Sequence, residues 1–185
     1  MTILHGDDRI YNNIFIQHYP VTDPEKTPAD NDYQVVGTAP FDIFPAYEDW
    51  IAQFDFENEP VMHKLGEAHF GHLPVWVEGN AYFGGATVCK HETKKLENTQ
   101  DQVTVEFIHR DGVCTLKTNV YDFLGDFKDG IITSDILGKA FEPEQRFENP
   151  DGSAIIFDAD FFGDHRGIDT IPGPFAEGKD TFKLF

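Results

Sequence analysis

Two short stretches of this chain share one shape, and that shape restricts the fold more than any other feature. Residues 10–16 and 77–83 each bring a short apolar strand to an asparagine, Asn13 in the first and Asn80 in the second. An apolar or aromatic run follows each, Ile14-Phe15 in one and Ala81-Tyr82-Phe83 in the other. Asparagine tolerates the left-handed backbone of a bend, and its amide can stack on the asparagine of a neighbouring coil. The shape is that of coils in a parallel β-helix, where short strands alternate with bends. A solenoid normally shows three or more repeats, so two copies leave a second reading open, in which both stretches are ordinary hairpin edges.

Residues 103–120, VTVEFIHRDGVCTLKTNV, obey a different rule. Val103, Val105 and Phe107 fall on one face, with Thr104 and Glu106 on the other, and Asp111-Gly112 is a tight-turn dipeptide. Alternation on both sides of such a turn predicts an antiparallel hairpin, with strands at roughly 103–109 and 113–120. GIITSDI (130–136) and GSAIIFDADFF (152–162) read as further strands, and Pro150 presets the turn before Asp151-Gly152. The expected fold is mainly β: a sandwich of roughly five to seven strands, together with β-helix-like coils. The 18 phenylalanines, set among 16 glycines and 11 prolines, agree with β structure. One helix is expected, in AYEDWIAQF (46–54), where Tyr47, Trp50, Ile51 and Phe54 share a face; a surface loop is its rival. The three prolines of residues 19–32 exclude a regular element there. The chain thus divides into coils with a long aromatic and acidic insertion (1–92), sandwich strands (93–150), and return strands with a closing segment (151–185).

Composition excludes several classes of partner. A net charge of −19 leaves no cationic patch for nucleic acid or an acidic membrane surface, and otherwise serves solubility. The first ten residues hold no apolar signal core, and no run approaches the ~18 apolar residues of a membrane span. Cys89 and Cys114 then read as free thiols in a reducing cytoplasm, with a disulfide as the alternative. His63, His69 and His72 cluster, yet no second pair of ligands stands at fixed spacing, so no metal is expected. No nucleotide-binding glycine loop or Ser-His-Asp pattern is present, and no cofactor is expected.

DDRIYNNIF (7–15), LPVWVEGNAYFGGA (73–86), FENPDGSAIIFDADFFGDHRG (147–167) and IPGPFAEG (171–178) together resemble the C-terminal third of the glycoside hydrolase family 120 β-xylosidases. The resemblance runs from Gly6 to Gly178. It implies a right-handed parallel β-helix interrupted by an immunoglobulin-like sandwich. It also implies retaining hydrolysis of xylosyl residues from the non-reducing ends of short xylo-oligosaccharides. That chemistry needs a nucleophile and an acid/base carboxyl about 5 Å apart, and coils stacked about 4.8 Å apart supply such a pair. In the family the pair lies upstream of the matched region. No residue of this chain aligns with either carboxyl, so the resemblance implies a chain that is inactive alone. A non-catalytic module, binding carbohydrate or another chain through aromatic residues 41–56, is the competing reading, and a plain structural domain is a third.

His5, Asp7, Asp8 and Arg9 are the candidates for lining a sugar site, since carboxylate and imidazole groups hydrogen-bond sugar hydroxyls. The bland alternative is a solvated turn with an Arg–Asp pair worth under ~1 kcal/mol. Trp76 with Glu78 offers a stacking ring beside a hydroxyl acceptor, although alternation against Val75 and Val77 also permits Trp76 a place in the core. Asp164, His165 and Arg166 read as a surface network, and Asp158 and Asp160 as facing outward from Phe157 and Ala159. The expected partner is a xylo-oligosaccharide or another small saccharide. An uncovered β edge at the first coil would favour self-association into a homo-oligomer.

Overall fold

The computed structural model describes residues 6–17, 36–54, 57–58, 72–100, 102–141 and 143–185. His5, His63, His69 and the proline-rich stretch 19–32 lie outside the described residues. Ten strands are described: β1 (Arg9–Tyr11), β2 (Ile14–Ile16), β3 (Trp76–Glu78), β4 (Asn80–Phe83), β5 (Lys95–Asn98), β6 (Val105–Arg110), β7 (Val113–Thr118), β8 (Asp129–Gly130), β9 (Asp169–Thr170) and β10 (Thr181–Lys183). Two short α-helices accompany them, α1 (Tyr47–Ile51) and α2 (Ser134–Leu137), with 3-10 turns at Ala39–Ile43 and Val120–Phe123.

The two echoing stretches lie side by side and run parallel. β1 pairs with β3, Ile10 opposite Val77, and β2 pairs with β4, Ile14 opposite Ala81. β5 adds a third parallel strand beyond β4, with Asn80 opposite Lys95. Hairpin edges would have run antiparallel, so that alternative is excluded. The bend itself is divided between two residues. Asn12 and Gly79 carry the left-handed backbone, at φ +55° and +75°, while Asn13 and Asn80, one residue later, turn their amides along the stack. Gly79 is required twice over, since a Cβ there would stand 2.5 Å from Asn12 Oδ1 and 2.4 Å from Asp129 Oδ2.

Every residue of β4 is buried, as befits a central strand covered on both faces. Ala81 and Phe83 pack with Val103, Val120 and Leu124 in one core cluster; Val75, Val77 and Cys89 form another against Ile10, Phe41 and Phe44. Full burial of Phe83 alone contributes about 1.5–3 kcal/mol. Tyr82 stacks on Phe15, its register partner, at 5.1 Å.

The expected hairpin forms as β6 and β7, with Arg110 opposite Val113. Asp111 and Gly112 both take positive φ, the backbone of a two-residue turn that matches strand twist. β10 pairs antiparallel on the far side of β7, giving a sheet of order β10-β7-β6. Among the described residues this sheet has three strands, fewer than expected. Of the strand anticipated over 130–136 only Gly130 forms, as the end of β8, and none forms over 152–162. Residues 134–137 are helical instead, because Ser134 is drawn inward: its hydroxyl donates to Phe147 O and accepts from Ile155 N. Residues 152–162 make only single bridges, to Glu148, Thr133 and His165.

Asp160 explains the second failure. Its carboxylate collects the N–H groups of Phe162, Asp164 and Ala176, a local turn that competes with a strand ladder. The facing is consequently reversed. Asp158 and Asp160 are half-buried, while Phe157 is 54% exposed and Ile156, Phe161 and Phe162 are exposed with it. The expected helix is present but shorter than two full turns with a shared apolar face. Trp50 is buried, edge-on to Phe141 at 4.7 Å, whereas Tyr47 is exposed. Cys89 and Cys114 are buried and unpaired with each other. No helix among the described residues is long and apolar enough to cross a membrane.

Candidate functional site

Asp7 and Arg9 open the first coil, and the fold closes around them. Asp7 takes a left-handed backbone at φ +64°, and its N–H donates to Pro74 O. Its Oδ1 then accepts from Arg9 Nη1 at 2.6 Å, and its Oδ2 from Phe141 N at 2.9 Å. Arg9 Nε donates to Leu137 O and Nη2 to Lys139 O. Its guanidinium lies between two rings, 4.1 Å from the centroid of Trp76 and 4.7 Å from that of Phe147. The Arg9 side chain is only 7% exposed. This corrects the solvated-turn alternative: a pair so enclosed, with its donors met by carbonyls and rings, ties this stretch to Leu137, Lys139, Phe141 and Phe147. Breaking one partner of such a pair typically costs about 3–5 kcal/mol.

Trp76 and Glu78 share the outer face of β3, opposite the buried Val75 and Val77. Trp76 is therefore no core residue. It is half-buried, with Arg9 on its face and Tyr47 stacked 6.1 Å away. Glu78 closes the following turn, accepting from Thr93 Oγ1, Thr93 N and Lys94 N. Asp8 is exposed, and its backbone carbonyl accepts from Trp76 N. The structure thus brings Asp7, Arg9 and Trp76 into one cluster, with Asp8 on its surface and Glu78 two residues along the strand.

A cleft of about 570 Å³ adjoins this cluster. Arg9, Tyr11, Asn12, Asn13 and Ile14 form one wall; Ile131, Ile132, Leu137, Phe157 and Arg166 line the rest, together with the 170–174 turn. Arg166 is not part of a surface network. Its Nη2 donates to the carbonyls of Ile171, Gly173 and Phe175 and so shapes the IPGPF turn. Its neighbours Asp164 and His165 remain exposed.

Sequence reasoning missed the most enclosed polar network. Glu92, in an unremarked KHETKK stretch, is buried beside Asn80 and accepts both Asn80 N and Asn80 Nδ2 at 2.9 Å. Its second oxygen accepts from the Tyr82 hydroxyl. Tyr82 bonds in turn to Thr38 Oγ1 at 2.7 Å, and that hydroxyl accepts from Cys89 N. Burial pushes the Glu92 carboxyl above the usual range despite the donors from Tyr82 and Asn80. Burial, aided by the Glu92 hydrogen bond, also raises the Tyr82 hydroxyl. The available signal was the asparagine repeat, because a buried amide column needs an acceptor at its end.

The four carboxylates Asp7, Glu78, Glu92 and Asp160 share one property. Both oxygens of each accept from protein donors.

No protein-family model and no curated protein matches the chain. Among solved structures, the chain superposes on XylC in complex with xylose with a TM-score of 0.78 and 24% sequence identity. The match covers 97% of this chain and 26% of XylC, so the chain spans about a quarter of that protein's length. The two share a fold over this region.

Proposed function

We propose that the chain is the terminal part of a xylosidase-related glycoside hydrolase. In this reading β1–β5 are the last coils of a right-handed β-helix, and β6, β7 and β10 belong to an immunoglobulin-like sandwich. The observation that carries it is the parallel, in-register stacking of the two asparagine coils, within a fold shared with a xylose-binding protein. The complete enzyme would release xylosyl units from short xylo-oligosaccharides by retaining hydrolysis, which demands two carboxyl groups about 5 Å apart. Asp7, Glu78, Glu92 and Asp160 each hold backbone or side-chain donors of the fold on both oxygens, which supports a structural part for them in this reading. The chain's contribution to saccharide binding comes from Asp8 and the edge of Trp76, with Asp7, Arg9 and Glu78 holding them in place. Two free thiols suit a reducing, cytoplasmic setting.

Assays with an aryl β-xyloside test the first half of this reading, and the isolated chain is expected to release no phenol. Turnover by the pure chain that Asp8→Asn abolishes would overturn it. Xylobiose titration tests the second half. Tryptophan emission of the wild-type chain should respond, and that of Trp76→Phe should not.

A further inference from the structure

The cleft beside Arg9 departs from the rest of the molecule in charge. Aspartate and glutamate outnumber lysine and arginine 33 to 14 along the chain. Yet the cleft is lined by two arginines, Arg9 and Arg166, and by no carboxylate. The two arginines differ. Arg9 is matched by Asp7, and its Nε and Nη2 are met by the carbonyls of Leu137 and Lys139. Arg166 has no carboxylate within ion-pair distance among the described residues.

Its Nη2 donates to Ile171 O, Gly173 O and Phe175 O at 3.2, 2.6 and 2.9 Å, which fixes the guanidinium at the cleft wall. Nε is buried and has no acceptor, and among the described residues none accepts from Nη1 either. Asp160 is the opposing charge, but both its oxygens are taken by the N–H groups of Phe162, Asp164 and Ala176. Burial still pulls the Arg166 pKa below its ordinary value, against the pull of Asp160. A charge taken from water without a bonded counter-ion is costly. Asn12 Oδ1 is the other buried atom without a partner on a lining residue. It presses on Gly79 inside the bend, where an added Cβ would stand 2.5 Å away, so crowding accounts for it. The remaining walls are apolar: Ile14, Ile131, Ile132, Leu137, Phe157 and Pro174. Their volume of about 570 Å³ suits a small molecule.

We infer that this cleft binds a small organic monocarboxylate, its carboxylate on the unspent N–H groups of Arg166 and its apolar body against Ile131, Ile132 and Phe157. One unmatched positive charge selects one negative charge. A phosphate ester would bring a second negative charge that no lining residue answers. A neutral saccharide would leave the guanidinium uncompensated and set hydroxyls against apolar walls. The inference goes beyond the saccharide reading, which rests on Asp8 and the edge of Trp76, and neither residue lines the cleft.

Replacing Arg166 would loosen the turn that its Nη2 holds, so the ligand is varied first and the chain second. The isotope-labelled wild-type chain is titrated with benzoate, its neutral isostere benzamide, acetate, phenyl phosphate and xylobiose. NMR follows the Arg166 Nε–H and the methyl groups of Ile14, Ile131 and Ile132. Benzoate should bind in the millimolar range or tighter, shift these signals and slow exchange of the Nε–H. Benzamide lacks the charge and acetate the apolar body, so each should bind at least about tenfold more weakly. Xylobiose should leave the four residues unmoved. Phe157→Ala removes an exposed ring and keeps the backbone bond to Ile132 O, and it should weaken benzoate about threefold or more. Benzamide, acetate or phenyl phosphate matching benzoate would overturn the inference, as would unchanged affinity in Phe157→Ala. So would millimolar benzoate that moves none of the signals. An Nε–H already protected in the free chain and indifferent to benzoate would show that the chain fills the cleft itself, which also overturns it. Shifts of the same residues by xylobiose would make the cleft a saccharide site, against the inference. The xylosidase reading fails separately, on aryl-xyloside release and on Trp76 emission.

Discussion

The parallel coils and the β6–β7 hairpin are both short-stranded, yet they are held by opposite means. In the coils the strands that touch come from distant parts of the chain, Ile10 meeting Val77 and Asn13 meeting Asn80. Their cohesion is burial plus a column of amides running from Asn13 through Asn80 to Glu92. In the hairpin the partners are sequence neighbours joined by Asp111-Gly112. Its outer face is left to solvent, with Phe107 61% exposed. The coils therefore depend on everything around them, and the hairpin depends mostly on itself. Damage to one column residue should spread, while damage to the hairpin should stay local.

Asn80→Ala should have the largest effect. It removes the acceptor for Asn13 N and Nδ2 and the side-chain donor to Glu92 and Ile10 O, while the backbone N–H to Glu92 stays. Leaving several buried groups unpaired costs about 1–3 kcal/mol for each, so a loss of about 3–5 kcal/mol is expected in a urea titration. A loss below ~1 kcal/mol would mean that water or a rearrangement satisfies the column, and the contrast between the two regions would collapse.

A matched pair of glycines sharpens the comparison. Gly79 and Gly112 have nearly the same backbone, φ +75° and +78°. An added Cβ meets Asp129 and Asn12 side-chain oxygens at the first and open space at the second. Gly112→Ala should therefore cost only the left-handed strain, about 1 kcal/mol. Gly79→Ala should cost about 2–3 kcal/mol, because Asp129 and Asn12 must also give way. Equal melting shifts for the two would show that the coil side of the bend is soft.

Acid should separate the coils from the turn around Asp160 as well. The raised Glu92 pKa means that the folded state holds this proton more tightly than the unfolded chain. Its contribution to stability is complete below the ordinary carboxylate range and is lost as pH rises through the folded value. Asp160 has the opposite sign. Burial works to raise it, but three backbone N–H groups and the Arg166 charge prevail and hold it low. Its contribution is present above the ordinary range and lost as pH falls through the folded value. Denaturation midpoints from pH 4 to 8, a range chosen as roughly that over which carboxyl shifts act, should change slope in opposite directions in Glu92→Gln and Asp160→Asn. The smallest effect belongs to Phe107→Ser on the exposed hairpin face, within about 0.5 kcal/mol. A larger loss would reveal a partner surface covering that side.

Signals carried by neighbouring residues were legible before any coordinates. Asp111-Gly112 specified its turn, whereas the 75–78 alternation set Trp76 opposite Val75 and Val77 without deciding which side enters the core. The spacing of Asn13 and Asn80 identified two stretches that pair in parallel, although not the division of labour with Asn12 and Gly79. Legibility failed where a local polar group outcompeted an apolar pattern. GSAIIFDADFF has the composition of a strand, but Asp160 gathers three N–H groups and turns its phenylalanines outward. Ser134 likewise converts an isoleucine-rich run into a helical turn by bonding Phe147 and Ile155.

What the sequence by itself determined is the set of periodicities and turn residues, because those act between residues a few positions apart. The role of Arg9 was decided only in three dimensions. Its charge is matched by Asp7 nearby, but its remaining donors wait for the carbonyl of Leu137, 128 residues away. Glu92 is the same case in the interior: its residue type argues for solvent, and only the end of an amide column makes burial tolerable. Such groups are assigned by which donors and acceptors the closed fold leaves unpaired, a quantity that exists only once distant segments have met.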